Sequence, residues 1–505
     1  MSRLKFDFRG LISSVLFSLF VRMPTVARVA RRTVPVATAE ALLPTVLTAE
    51  EDESTYSLAA LGTCVAEGFS VSATEAPARI DFYLMGSGLH DPIPDVCWER
   101  YDAILVHLTL RDVLQDDLFH VRPYADYDAR CRESFDRLKT RMEKITDIIG
   151  RTAPVFFLAF SEPPSSYQGI LLNNRRDSLY RLVRTLNDGM ADIAGSLSSA
   201  YYVEINDVMR YLGDGNLSDA YTNHLSHAGF IDICAPNVSG LFSAIATRVC
   251  NGIKILRADN PVKLIISDLD NTLWKGVLAE CDNIVPHEHT EGWPLGYVEA
   301  LLEFKRRGGL LAISSKNELD STIPRFNAVW NNRLRMDDFC SIKINWRAKS
   351  SNIAEILNET NIMASNTLFI DDNPREIEEV RRIFPDMRFL SGRQDTWRGV
   401  ILFSPHTQVA AISAESHART ELVHAKQKRD QLSSKLSRTD YLKTLAIRVS
   451  FEIIDSISQE RFERAIELIN KTNQFNTTGR RWTISDSRRF FKDAGKIWLL
   501  SKIRG

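Results

Sequence analysis

What the chain lacks narrows the field first. The seven cysteines of this 505-residue sequence (Cys64, Cys97, Cys131, Cys234, Cys250, Cys281 and Cys340) are scattered, odd in number and form no C-x-x-C pair. That argues against a disulfide framework and suits a reducing compartment, so a cytoplasmic location is expected. Charge excess of either sign is missing too: 63 Lys and Arg stand against 64 Asp and Glu. Nucleic acid is therefore not an expected partner. No apolar run reaches the ~20 residues of a membrane helix. The nearest approach is "LISSVLFSLFV", preceded by Arg3, Lys5 and Arg9 like the start of a secretory signal. It runs on into "RVARR" without a small-residue cleavage site, so a terminal arm is expected and membrane association is not. Internal repeats and long low-complexity stretches are absent as well.

What is present is ordinary globular material, too long for one core. Residues 1–54 form the basic and apolar arm, ending in acidic "TAEEDEST". Residues 55–250 alternate short apolar strands ("RIDFYLM", "AILVHLTL", "PVFFLAF") with helical patterns such as "RRDSLYRLVRTLNDGMADIAGSL". That alternation predicts a parallel sheet covered by helices. Residues 258–405 repeat the pattern with "VKLIIS", "GLLAIS", "TLFI" and "MRFL". Residues 415–505 open on a charged helical stretch and continue through "LAIRVSFEII" and "ERAIELINKTNQFN". The fold class is thus multidomain α/β.

Acidic residues follow two of these strands. Asp268 and Asp270 come directly after "KLIIS", and Asp371 and Asp372 directly after "TLFI". In open α/β sheets the reactive crevice lies beyond the carboxyl ends of the strands. Like charges that close repel unless a cation sits among them, and Mg²⁺ suits oxygen ligands. Asp268, Asp270, Asp371 and Asp372 are the expected metal ligands. Asn373 is placed to cap a helix, with Pro374 at its first position and Glu376 closing a capping box. Ser314 and Ser315 end another strand, with hydroxyls suited to a phosphoryl oxygen. Lys349 is expected just before a helix that Ser351 or Asn352 caps, where an anion is favoured.

The series Asp-x-Asp, Ser, Lys, Asp-Asp, each at a strand or helix end, resembles the haloacid dehalogenase (HAD) superfamily. The resemblance implies a HAD-type Rossmannoid sheet and phosphoryl transfer. Asp268 would be the nucleophile, Asp270 the acid and base, Ser315 and Lys349 the phosphoryl holders, with Mg²⁺ on Asp268 and Asp371. About forty-five residues separate Asp270 from Ser315 and about thirty-four separate Ser315 from Lys349. That leaves no room for a large cap domain, so a bulky or carrier-borne phosphorylated substrate is expected.

"DLDNTLWKGVLAE", "SSKNE", "INWRAKSSNI" and "FIDDNPREIEEVRRIFP" look like the FkbH-like branch, HAD subfamily IIIC. That branch implies glyceryl transfer and phosphatase chemistry on an acyl carrier protein in polyketide and related pathways, besides the simpler expectation of a small sugar or glycolytic phosphate. A non-catalytic scaffold is the third reading. Three departures stand out: Ser314 replaces the branch's cysteine, "CDNIV" follows Glu280 where an Asp-Gly turn is expected, and the acetyltransferase-like (GNAT-like) C-terminal segment stops at "KIWLLSKIRG". Residues 55–250 resemble an SGNH or flavodoxin-like domain, with Cys64 at the nucleophile position and His224 as base. Arg111 and Tyr221 replace the expected Asn and Asp, which implies a degenerate docking domain. Cys281, His287 and His289 are too few for a zinc site.

Overall fold

The computed structural model describes residues 55–86, 88–114, 127–162, 171, 178–212, 238–281, 283–413, 416, 419–427, 448–471, 482–492 and 496–504. The basic arm lies outside these residues, as do Tyr221 and His224. No helix among them is long and apolar enough to cross a membrane.

Two five-stranded parallel sheets organise the chain. The first contains β1 (Tyr56–Gly62), β2 (Ala78–Leu84), β3 (Ala103–His107), β4 (Val155–Leu158) and β5 (Ala200–Val203), in the order β2-β1-β3-β4-β5. Strand β1 is not among the strands expected from sequence, because its Ala-rich "YSLAALG" carries little β propensity. It is central nonetheless, and closely approached: a Cβ on Gly62 would sit 2.6 Å from the carbonyl oxygen of His107. The helices are α1 (Glu67–Ser72), α2 (Leu110–Leu114), α3 (Tyr127–Ile149), α4 (Leu179–Ser196), α5 (Asn206–Leu212) and α6 (Val238–Arg257). Ser178 caps α4 by accepting from Arg181 N–H. Alternate residues of β1 feed two cores, Leu58 and Ala60 on one face and Ala59 and Leu61 on the other.

The second sheet contains β6 (Leu264–Ser267), β7 (Leu310–Ser315), β8 (Ser341–Ile344), β9 (Thr367–Ile370) and β10 (Arg388–Leu390), ordered β10-β9-β6-β7-β8. Its three middle strands are buried along their whole length, as a sheet covered on both faces requires. Leu264, Ile265 and Ile266 are wholly buried, and each contributes roughly 1.5–3 kcal/mol on that account. The covering helices are α7 (Pro286–Thr290), α8 (Trp293–Arg306), α9 (Leu319–Trp330), α10 (Lys349–Thr360), α11 (Pro374–Ile383) and α12 (Gln394–Phe403). Between β6 and β7 the described chain holds only turns, α7 and α8, and between β7 and β8 only α9 and a further turn, so no inserted domain roofs the sheet.

The last segment is small. An antiparallel ribbon of β11 (Arg448–Ile454) and β12 (Trp498–Arg504) packs one face on α13 (Phe462–Lys471), with α14 (Ile484–Phe490) beside it. Residues 419–427 are helical and pack on the second sheet. Arg419 donates to the Gly308 carbonyl at 2.8 Å and Gln427 to that of Cys340 at 2.9 Å. His424 Nε2 lies 3.0 Å from the Phe339 carbonyl.

Candidate active site

The chain leaves β6 for β7 and β8 on one side, then crosses to β9 and β10 on the other. Ligands bind at such a reversal, outside the carboxyl ends of the two strands that flank it. Ser267 of β6 is in register with Ile370 of β9, so Asp268 and Asp371 emerge side by side. Asp268 N–H donates to the Ile370 carbonyl at 3.0 Å, extending the ladder into the site.

Three carboxylates meet there: Asp268, Asp371 and Asp372 each offer an oxygen within 4.8 Å of the others. Lys349 Nζ lies 3.1 Å from Asp268 Oδ2 and 2.5 Å from Asp371 Oδ2. Asp371 and Lys349 are both buried. Burial, then the Asp268 charge, push the Asp371 carboxyl up to about 7 against the opposing pull of Lys349. Asp372 is raised for the same two reasons. Burial works against the Lys349 ammonium, yet Asp268 and Asp371 outweigh it and hold its pKa above the ordinary lysine value. The cluster is short of positive charge.

One atom shows where that charge belongs. Asp268 Oδ1 is buried without a hydrogen-bond partner, a costly state for a carboxylate oxygen. A divalent cation beside three carboxylates fits this donor set, since all its ligands are hard oxygens.

Asp270, expected among the metal ligands, does not lie in the cluster. Its Oδ1 accepts from Trp274 Nε1 at 2.8 Å and from Leu278 N–H at 3.2 Å. Its Oδ2 accepts from Asn317 Nδ2 at 2.9 Å. The turn that brings Trp274 back places Asn271 and Gly276 at φ 54° and 81°, a left-handed region open to those two residue types. Asn271 Oδ1 accepts from Gly276 N–H at 2.9 Å and closes it.

Ser315 is buried at the end of β7, and Asn317 Nδ2 reaches its Oγ at 3.1 Å. Sequence reasoning missed Asn317. The only signal was a short amide two residues beyond a strand end that already carried a candidate. Ser314, one residue earlier, is fully buried with its Oγ unpartnered.

Three local expectations are corrected. Lys349 does not precede α10 but is its first residue, and Ala348 is the uncapped N-cap. Asn352 instead turns to Asn345 Oδ1 at 3.1 Å. Asn373 does cap α11, accepting from Arg375 N–H at 3.0 Å. Glu376 closes no capping box there, because Lys316 Nζ holds it at 2.6 Å. Cys281, His287 and His289 form no metal-ligating group among the described residues. His289 Nδ1 instead lies 2.8 Å from the Lys275 carbonyl.

No protein-family profile matches the sequence, and no curated protein does. Among solved structures, the chain is similar to the N-terminal part of the protein BF1531 from Bacteroides fragilis, which contains a phosphatase domain and is complexed with Mg. The TM-score is 0.52 at 18% identity, covering 72% of this chain and 96% of that one. A 3-deoxy-D-manno-octulosonate 8-phosphate phosphatase from Moraxella catarrhalis, in complex with magnesium ion, phosphate ion and KDO, also matches. There the TM-score is 0.21 at 15% identity, covering 34% of this chain and 96% of that one. The first likeness shows a shared fold: mixed α/β with parallel sheets, consistent with a HAD-type Rossmannoid.

Proposed function

We propose that this chain is a Mg²⁺-dependent phosphohydrolase working through an aspartyl-phosphate on Asp268. The observation that carries the reading is the unpartnered Asp268 Oδ1, buried among two further carboxylates and Lys349 at the strand reversal. The Mg²⁺ bound by the similar B. fragilis structure supports the choice of cation. Asp268, Asp371 and Asp372 would hold it, and when bound it supplies positive charge that offsets the carboxylates and the phosphoryl group.

The chain's own groups divide the work. Asp268 attacks phosphorus, forming an O–P bond as the bond to the leaving oxygen breaks. Trp274 Nε1–H and Leu278 N–H are obligate donors, so Oδ1 of Asp270 carries no proton. Oδ2 is then the oxygen that protonates the leaving group and later takes a proton from the water that attacks the phosphoenzyme. Ser315 Oγ and Lys349 Nζ hold the phosphoryl oxygens.

The substrate we propose is a glyceryl- or acyl-type phosphate linked to an acyl carrier protein, as in the FkbH-like branch. The absence of an inserted domain over the described site supports a bulky substrate. So does Trp346, 71% exposed one residue beyond Asn345, whose N–H donates to the Ser315 carbonyl at 3.1 Å. The SGNH-like and GNAT-like readings of the flanking segments belong to the same proposal. Intact-protein mass spectrometry with phosphoglycerate donors, with and without carrier protein, tests it. A mass added to the carrier supports it, and phosphate release alone favours a small-molecule phosphatase. No turnover of any donor favours the scaffold.

A further inference from the structure

We infer that Asn317 is a positioning residue that sets the direction of the Ser315 hydroxyl, so that its hydrogen points at the phosphoryl oxygen. The inference rests on the phosphohydrolase reading and specifies how its anion site is prepared.

Asp270 Oδ2 keeps an acceptor lone pair whether or not it holds the leaving-group proton, and Asn317 turns its amide nitrogen to it at 2.9 Å. That nitrogen carries two hydrogens. One is committed to Asp270, and Ser315 Oγ lies 3.1 Å away for the other. Oγ accepts there, so its own hydrogen must go elsewhere. Asn317 and Ser315 are both buried, so the two bonds are made away from bulk water and its competition.

The carboxylate end of the relay is itself fixed. Trp274 Nε1 and Leu278 N occupy Oδ1 of Asp270, leaving Oδ2 turned to Asn317. The relay thus has Trp274 and Asn317 both donating to Asp270, with Asn317 donating onward to Ser315. Its last free hydrogen is the serine hydroxyl, which suits an anion with several acceptor oxygens and no donor of its own, a phosphate dianion.

A double-mutant cycle on the full-length chain tests this, with p-nitrophenyl phosphate turnover and inhibition by inorganic phosphate as readouts. Ser315→Ala alone is expected to slow turnover about 30-fold and weaken phosphate inhibition about tenfold. Asn317→Ala should approach both values, because the hydroxyl is no longer aimed. In the Asn317→Ala background, Ser315→Ala should then cost less than about threefold more. Asn317→Ser provides a second neutral truncation should the alanine variant not fold. Losses that multiply in the cycle, or phosphate inhibition unchanged by either Asn317 variant, overturn the inference while leaving the phosphohydrolase reading intact. A wild-type protein that releases phosphate from no ester is a separate result: it sinks the phosphohydrolase reading and takes this inference with it.

Discussion

The two parallel sheets share a plan and differ in what they place at its crevice. In the first, the order reverses between β1 and β3, where the chain carries Thr63 and Cys64 beyond one strand and His107 at the end of the other. In the second, it reverses between β6 and β9, where three carboxylates and a lysine meet. Buried polar groups occur at both. In the first sheet they are settled locally or neutral. Asp112, pushed up to about 6 by burial, accepts from Thr109 N–H and Oγ1 within its own turn, at 2.7 and 2.8 Å. Burial drives His107 down to about 4, so it stays uncharged at neutral pH. In the second sheet the charges face one another across strands, three carboxylates against one lysine. A parallel sheet provides the crevice twice, and the side chains at the rim make the second the candidate reaction centre.

That contrast can be broken in four places, from the largest effect down. Asp268→Asn removes the proposed nucleophile and should lower phosphate release by about 10⁴-fold or more. Circular dichroism should be unchanged, and surviving activity would move the nucleophile elsewhere. Lys349→Met should cost about 10²–10³-fold in turnover. It should also lower stability by about 3–5 kcal/mol in EDTA, because Asp268 and Asp371 lose the cation that pairs with both. Chemical denaturation with and without Mg²⁺ measures this, and equal losses in both would argue against a cation site.

The third test uses pH. Burial and the Asp268 charge push the folded Asp371 carboxyl up to about 7, above the ~3.9 of an unfolded aspartate. Between those values the native state holds the extra proton, so metal-free stability should fall as pH rises from about 4 to about 7 and level off above. The drop should be on the order of 4 kcal/mol. Asp371→Asn should flatten the curve and also remove the gain in Tm on adding Mg²⁺. A curve of the same slope in the variant would assign the dependence to another group. The smallest effect belongs to the first sheet. Cys64 is exposed at the end of β1, and Cys64→Ala should leave phosphate release within about twofold. A large loss there would end the distinction between the crevices.

Much of the second crevice was legible because strand-end acids are read by position, not by side-chain contact. "KLIIS" and "TLFI" are apolar enough to announce buried strands, and the residue after each is then at the rim. What sequence could not show is which way a rim side chain turns. Asp270 sits two residues from Asp268, yet an indole, a backbone N–H and an amide draw its carboxylate out of the cluster. Trp274 was visible as part of a motif but not as a donor, since its role depends on a turn that folds back four residues. Strands β1, β5 and β8 escaped. The first is too rich in alanine, and the other two are four-residue edge strands, β8 containing Lys343.

The helical residues 419–427 have a practical bearing. Gln427 donates to the Cys340 carbonyl beside β8, and Arg419 caps the turn before β7. Bare outer strands recruit neighbours and aggregate. Anyone excising the half built on the second sheet for biochemistry should therefore cut after residue 427 and not after residue 405, keeping this guard over the vulnerable border.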